Sequence, residues 1–431
     1  MKRLVALFLL FAFPLRAEVD ITPVTAPSGL EAWLVEENSI PFISLELIFA
    51  GGANIEPDEQ AGAVSLMTSL LSEGAGDMDA QTFAARTEEL AARLSFDSGR
   101  DTVSVSARFL TEDAEAVIDH LRLALTEPRF DEDAIARVRN QKLASLRRDA
   151  LNPNMIASRA FARTAFEGHP YARESDGTLE TVAALDRDAL LAAHQGSIAR
   201  DRVFIGAAGD VDAETLGALI DRLFEGIPET GAPLPDPVEF EASAGFEVVP
   251  FDGPQSVVAF GHSGISRDDP DFLAAFVLNE AFGGGRFGTR LMQNLRVERG
   301  LTYGIGTFLS AGLLGNSFQG RVSTDNQNVE NVIELLREEW AQMSDEGITE
   351  AERERIVTYL TGAYPLRFDG NSSIASIMAS MQYQEFGIDY VNHRNDMIRA
   401  LTLDELNAVA ERLFDPEGLV FVVVGQPVGL N

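Results

Sequence analysis

The residues best suited to chemistry are an arginine and a tyrosine seven residues apart, Arg296 and Tyr303, in the segment Asn294–Gly304. Arginine offers a planar fork of five donors and tyrosine a single donor on a rigid arm, and both can bind a carbonyl oxygen that gains negative charge. If a helix ends before Gly300 and a strand follows it, the side chains of Arg296 and Tyr303 could reach the same ligand atom. The alternative is a surface arginine on an amphipathic helix and a half-buried tyrosine on a strand.

Metal ligation is the next chemistry to test, because imidazole and carboxylate groups are common zinc ligands. No two histidines lie three or four residues apart, and no His-x-x-Glu-His or cysteine-based zinc motif is present. A zinc site would have to be assembled from distant histidines, and His169, in the loop Glu167–Tyr171, is predicted to bond to backbone instead. The histidines are His120, His169, His194, His262 and His393.

Two glycine-containing segments match catalytic or nucleotide motifs in part. Gly261–Gly264 contains a serine without the Gly-x-Ser-x-Gly elbow, and we interpret it as a loop at a strand end. Gly283–Gly288 fits Gly-x-Gly-x-x-Gly, but that fingerprint requires a preceding strand, whereas Asp271–Ala281 has the apolar spacing of a helix. Gly283–Gly288 is therefore interpreted as flexible backbone that lets the following helix approach a substrate or a partner chain.

Length and charge limit the function further. A chain of 431 residues is too long for one ordinary core and predicts two or three domains. Its formal net charge of −33 argues against nucleic acid or an anionic membrane surface as a partner. Basic residues on one predicted helix indicate a solvated face, or alternatively an interface with an acidic partner. They are Arg137, Arg139, Lys142, Arg147 and Arg148.

The first residues have the features of a secretory signal peptide. Lys2 and Arg3 precede an apolar run over Leu4–Leu15, which is too short to span a membrane, and Ala17 offers a cleavage point. We predict a signal peptide over residues 1–17 and a mature protein in the periplasm or secreted. The absence of cysteine excludes disulfides, and no later segment is apolar enough for a membrane span.

Apolar periodicity predicts runs of strands and helices in the first half of the chain. Strands are predicted over Glu31–Val35, Ile43–Ala50, Thr102–Phe109 and Arg202–Ala208. Helices are predicted over Gln60–Ser72, Ala80–Leu94, Glu112–Leu125, Asp131–Asp149, Asn154–Phe166, Arg187–His194 and Asp212–Phe224.

A proline-rich segment separates two halves that repeat each other. Four prolines between residues 228 and 237 exclude regular structure there and predict a linker over residues 228–242. The predicted fold is α+β, with two tandem homologous domains, over residues 18–227 and 243–431, each a mostly antiparallel sheet with helices on one face. Three pairs of residues recur at nearly one offset: Pro57 and Pro270, Ile118 and Ile333, Gly209 and Gly425.

Five segments, in order along nearly the whole mature chain, carry a resemblance to a known family. They are Gly51–Pro57, Ala61–Gly74, His169–Tyr171, Gly209–Val211, and Leu295-Arg296 with Gly300–Gly304. Together they resemble the insulinase (pitrilysin) family of zinc peptidases, in the branch that includes the mitochondrial processing peptidase subunits.

The chain departs from this family at the metal site. Active members carry His-x-x-Glu-His on the helix that Ala61–Gly74 resembles, and the matching positions here are Ser65, Thr68 and Ser69, which cannot replace those ligands. A glutamate ligand is expected on a later helix, but residues 133–166 contain none, and Gln141 lies near the expected spacing. This chain is therefore predicted to bind no metal.

The resemblance implies that Arg296 and Tyr303 match a pair that reaches from the second domain toward substrate at the zinc. In two-subunit members the zinc motif and this pair can reside on different chains. The implied function is the non-zinc subunit of a heterodimeric periplasmic metallopeptidase, inactive alone, with a zinc-bearing homologue as partner and a peptide as substrate. The alternatives are an inert scaffold subunit and an autonomous enzyme with other ligands. The family's self-complementary surfaces also permit a homodimer.

Overall fold

The computed structural model describes residues 19–430, so the predicted signal peptide lies outside the described residues. The first half forms a six-stranded sheet and a separate two-stranded hairpin. Its strands are β1 (Thr22–Thr25), β2 (Glu31–Glu36), β3 (Phe42–Ala50), β4 (Gly74–Ala75), β5 (Met78–Asp79), β6 (Arg93–Ser98), β7 (Thr102–Leu110) and β8 (Val203–Gly209). The order across the main sheet is β1-β2-β8-β3-β7-β6.

Eight helices belong to this half within the described residues. They are α1 (Ala63–Leu70), α2 (Ala80–Glu89), α3 (Ala114–Thr126), α4 (Glu132–Asp149), α5 (Pro153–Ala165), α6 (Leu179–Ala184), α7 (Arg187–Ser197) and α8 (Ala213–Leu223). Short 3₁₀ turns cover Gly52–Ile55, Asp58–Gln60, Thr111–Asp113, Pro170–Ala172 and Arg200–Arg202. Residues 228–242 contain no helix or strand.

The second half builds a five-stranded sheet with six α-helices in the described residues. Its strands are β9 (Gly245–Pro250), β10 (Gln255–Ser263), β11 (Ile305–Ala311), β12 (Asn316–Asp325) and β13 (Val420–Gly425). Its helices are α9 (Phe272–Phe282), α10 (Val329–Glu346), α11 (Glu350–Ala363), α12 (Asn371–Tyr383), α13 (Tyr390–Ala400) and α14 (Leu403–Leu413), with a π-helical segment (Met292–Glu298) and 3₁₀ turns (Asn326–Asn328, Tyr364–Phe368).

The two sheets have the same topology. Read from its other edge, the second sheet has the order β9-β13-β10-β12-β11, which matches β2-β8-β3-β7-β6 strand for strand. β2 pairs with β8 and β9 with β13 in parallel, while the other pairs are antiparallel. Ile118 and Ile333 are buried on the corresponding helices α3 and α10. The predicted α+β fold with two tandem domains is confirmed.

Each sheet is also covered on its second face by one helix from the opposite half. Helix α5 packs on β10 and β13, and α12 packs on β8, β3 and β2. Strands β3 and β13 are accordingly buried along almost their whole length, on both faces. The contact with α12 is close at Gly206 on β8, where an added Cβ would lie 2.1 Å from the carbonyl oxygen of Ala375.

One predicted helix is wrong at its end. The helix predicted over Ala80–Leu94 ends at Glu89, and Leu94 lies in the edge strand β6. Ala91 adopts a left-handed conformation with φ of 47°, which breaks the helix without the glycine that usually marks such a position. Within residues 19–430, no helix is both long and apolar enough to cross a membrane.

Candidate functional site

Arg296 lies on the π-helical segment Met292–Glu298 that precedes β11. The buried Leu295 anchors this segment in the core, and Asn294 donates a hydrogen bond of 2.5 Å to Oε1 of Glu339 on α10. The Arg296 guanidinium stacks on the exposed ring of Phe287, 4.4 Å from its centroid. No carboxylate of residues 19–430 forms an ion pair with Arg296, so its donors remain available to a ligand.

Tyr303 lies on the turn between that segment and β11. The neighbouring Thr302 is buried and donates 2.7 Å to the carbonyl oxygen of Ser323, while Thr324 donates 2.7 Å to that of Leu301. These two bonds fix the turn to β12. Tyr303 itself is 82% exposed, and its hydroxyl has no hydrogen-bond partner within the described part of the chain. A fixed turn thus presents a free phenol to solvent.

The glycine-rich segment Gly283–Gly288 packs beside the start of β11. The Thr307 backbone N–H donates to the carbonyl oxygen of Gly283 at 2.6 Å, and a Cβ at Gly283 would lie 2.2 Å from the Thr307 hydroxyl. The segment follows helix α9, which is the arrangement that argued against a dinucleotide site. Phe287 in this segment carries the stacked Arg296, so the glycine-rich segment and Arg296 form one surface.

The hydroxyls at the degenerate metal positions are occupied within the protein. Thr68 donates 2.7 Å to the carbonyl oxygen of Val64, and Ser69 donates 2.8 Å to that of Ser65, both within α1. The Ser65 hydroxyl donates 2.5 Å to Oδ1 of Asp176, in the loop before α6. None of these three side chains presents a free group to a metal.

A lysine lies against these positions, and sequence reasoning did not assign it to them. Lys142, on α4, donates to the Ser65 hydroxyl and, at 2.8 Å, to Oδ1 of Asp176. Burial alone would raise the pKa of Asp176, but the hydrogen bonds from Lys142 and Ser65 outweigh it and lower that pKa. The adjacent Gln141 is exposed.

Zinc does not fit this arrangement. A zinc ligand must offer a lone pair, and a protonated ammonium has none. Within residues 19–430 no group of three or more histidine, aspartate or glutamate side chains is placed to hold a metal ion. The ammonium of Lys142 supplies the positive charge that balances Asp176. The sequence does distinguish Lys142 in one way: of the 34 lysines and arginines, only Lys2 and Lys142 are lysines.

Glu56 is a second residue that sequence reasoning missed. Its carboxylate accepts backbone hydrogen bonds from Gly62 at 2.9 Å and Val64 at 2.5 Å, and so caps the start of α1. The helix predicted over Gln60–Ser72 therefore begins at Ala63. Burial raises the pKa of Glu56 to about 7, against the opposing effect of these bonds.

The histidines are dispersed through both halves. His169 bonds to backbone, as predicted, through Nδ1 to the Tyr171 N–H and through Nε2 to the Asp236 carbonyl oxygen. His194 and His262 are buried, and burial lowers the pKa of each imidazole. His262 Nε2 accepts 2.9 Å from the indole of Trp340, which fixes it as a core residue.

The structure leaves the two groups of predicted site residues in different halves. Ser65, Thr68 and Ser69 lie on α1 of the first half, while Arg296 and Tyr303 precede β11 of the second. No hydrogen bond or ion pair joins the two groups within residues 19–430.

Comparison with known proteins identifies the family of both halves. Residues 33–178 match the family model described as Insulinase (Peptidase family M16), and residues 184–360 match the one described as Peptidase M16 inactive domain. The Non-peptidase homolog YmxG of Helicobacter pylori is 24% identical over 397 residues, covering 91% of each chain. Mitochondrial-processing peptidase subunit beta of Lentinula edodes is 21% identical over 412 residues, covering 88% of this chain and 84% of that protein.

The crystal structure of a peptidase M16 inactive domain from Pseudomonas fluorescens superposes with a TM-score of 0.89 and 26% identity, covering 96% of this chain and 99% of that one. These matches extend over both halves of the chain. The positions that correspond to the family's metal ligands carry none of the required residues. The chain therefore belongs to the insulinase family, peptidase family M16, as a homologue without the zinc motif.

Proposed function

We propose that this chain is the non-zinc subunit of a heterodimeric periplasmic metallopeptidase, in which Arg296 and Tyr303 bind the substrate carbonyl at a partner subunit's zinc. The observation that carries the proposal is that Arg296 and Tyr303 are accessible and have donors that no described residue occupies. Tyr303 is 82% exposed on a fixed turn, and Arg296 stacks on Phe287. Among residues 19–430, the Tyr303 hydroxyl has no hydrogen-bond partner and Arg296 no carboxylate partner.

In this proposal the two side chains stabilise a developing charge. The Arg296 fork and the Tyr303 hydroxyl donate to the carbonyl oxygen of the scissile bond as that oxygen becomes negative. Stacking keeps the guanidinium in place before substrate arrives, so less conformational entropy is lost on binding. The zinc of the partner subunit would supply the nucleophile. The signal peptide predicted over residues 1–17 supports the periplasmic location.

The test is to mix the purified chain with a zinc-bearing homologue from the same organism and follow cleavage of a peptide library. Tyr303→Phe and Arg296→Ala should each lower turnover about 100-fold, the usual effect of removing one transition-state donor. Assembly, measured by size-exclusion chromatography, should not change. Tyr359→Phe is a matched control, because that tyrosine is also exposed and lies outside the pair. Unchanged turnover in both variants would exclude the role.

A scaffold function is the second candidate, and the similarity to a protein named a non-peptidase homolog favours it. A scaffold subunit would assemble with its partner, but both pair variants would support the same activity as the unmodified chain. Turnover in the variant complexes therefore separates the two functions, since assembly is expected in either case.

A further inference from the structure

A cavity of about 500 Å³ lies in the second half, between α9, β11, α12 and α13. This is the size range of small-molecule sites. Its wall combines aromatic and apolar side chains with polar and charged ones in about equal measure. The rings that line it include Phe272, Phe276, Phe308, Phe386 and Tyr390.

Two buried or half-buried arginines line this cavity, Arg394 and Arg267. Arg394 is 6% exposed, stacks on Tyr364 at 4.3 Å, and hydrogen-bonds to the neutral side chains of Asn395, at 3.3 Å, and Tyr390. Arg267 donates to Gln384 at 2.8 Å and to the carbonyl oxygen of Ala311 at 3.1 Å, both of which are neutral acceptors. Neither forms an ion pair with a described residue. Glu280 and Asp268 interact with Arg394 and Arg267 respectively through charge alone, without an ion-pair contact, so both guanidinium groups keep donors for an anion.

The remaining charges keep the cavity positive. Arg367 lies exposed on its wall. Glu280 is the carboxylate among the described lining residues, and it is paired with Arg286 at 3.0 Å. Burial raises the pKa of Glu280, and the positive charges of Arg286 and Arg394 oppose that effect. A single negative charge fits here better than two, because Glu280 would repel a dianion.

We propose that this cavity binds a carboxylate carried on an apolar or aromatic body. The carboxylate would lie between Arg394 and Arg267, and the apolar part against the rings of α9 and β11. The C-terminal carboxyl group of a peptide and a free aromatic acid share this chemistry. The site needs neither a partner subunit nor the Arg/Tyr pair, so it does not depend on the function proposed above.

The test is isothermal titration calorimetry on the full mature chain with matched acids and amides. 3-Phenylpropionate should bind, and 3-phenylpropionamide should bind at least tenfold more weakly, because it lacks the charge that the arginines recognise. The peptide Ala-Ala-Ala-Phe, with a free carboxyl group and as its amide, distinguishes a peptide C-terminus from a free aromatic acid as the natural ligand. If the free peptide binds more tightly than 3-phenylpropionate, the ligand is a peptide end. If it binds equally or more weakly, the ligand is a free acid. Equal affinity for acid and amide, or tighter binding of phenyl phosphate than of 3-phenylpropionate, would overturn the proposal.

Three variants locate the site. Arg394→Gln should weaken binding of 3-phenylpropionate about tenfold, and the exposed Arg367→Gln about threefold, since solvent screens its charge. Arg148→Gln, on the exposed face of α4, should bind like the unmodified chain. If Arg394→Gln does not fold, the affinity of Arg367→Gln still tests the location of the site, because the Arg367 side chain is exposed and its loss should not affect folding. Unchanged affinity in Arg367→Gln and in any folded Arg394→Gln protein would refute this location.

Discussion

Replacing Lys142 with methionine tests whether the ammonium joins α1, α4 and the loop that carries Asp176. Methionine keeps an apolar stem of similar length, so the main loss is the charge. The Lys142 side chain is 23% exposed and that of Asp176 is 55% exposed. A charge-assisted hydrogen bond contributes ~1.5 to 3 kcal/mol, and a solvent-exposed ion pair less than ~1 kcal/mol. With one partner half-exposed, we expect a coupling energy of about 1 kcal/mol.

The assay is a double-mutant cycle by urea unfolding, with Lys142→Met, Asp176→Asn and the double variant. Because the folded-state pKa of Asp176 is lowered, its contribution is present above its unfolded pKa of ~3.9 and is lost as the pH falls through the folded value. The destabilisation caused by Lys142→Met should therefore shrink below pH ~4. A coupling energy indistinguishable from zero at pH 7 would refute the role given to the ammonium.

Two further outcomes are expected. Burial raises the folded pKa of Glu56 to about 7, so stability should fall as the pH rises from 5 to 8. Glu56→Gln should reduce that fall by ~2 to 3 kcal/mol in urea unfolding, and parallel pH profiles of the two proteins would contradict this. Gly206→Ala places a Cβ 2.1 Å from the carbonyl oxygen of Ala375 and should lower the unfolding free energy by ~3 kcal/mol. Gly362→Ala is the control, because Gly362 on α11 has open space around it. If Gly206→Ala and Gly362→Ala have the same unfolding free energy, the argument for close packing of α12 fails.

The sequence was informative where local pattern and repetition determine structure. Alternating apolar residues predict β7 almost to the residue, and the recurring offset predicts two sheets with the same topology. The boundary between α2 and β6 could not be predicted, because Ala91 adopts a left-handed conformation there and no glycine or proline marks the position.

The candidate site was predicted unevenly for a related reason. Loss of ligands at Ser65, Thr68 and Ser69 is a matter of residue type and is visible in the sequence. The contact of Lys142 with Ser65 joins residues 77 positions apart, and its contact with Asp176 spans 34 positions. Periodicity cannot predict such contacts, which depend on how α4 packs on α1. The exposure of Tyr303 likewise depends on hydrogen bonds to β12.

The covering of each sheet by a helix from the opposite half affects the chain as a folding unit. Without α12, the first sheet would expose the apolar face of β8 and β3, and without α5 the second would expose that of β10 and β13. Neither domain therefore covers both faces of its own sheet, although each has its own core. A single-half ancestor could have buried the same surfaces by exchanging this helix with a second copy of itself, so the duplicated chain has the arrangement of a domain-swapped dimer joined into one polypeptide.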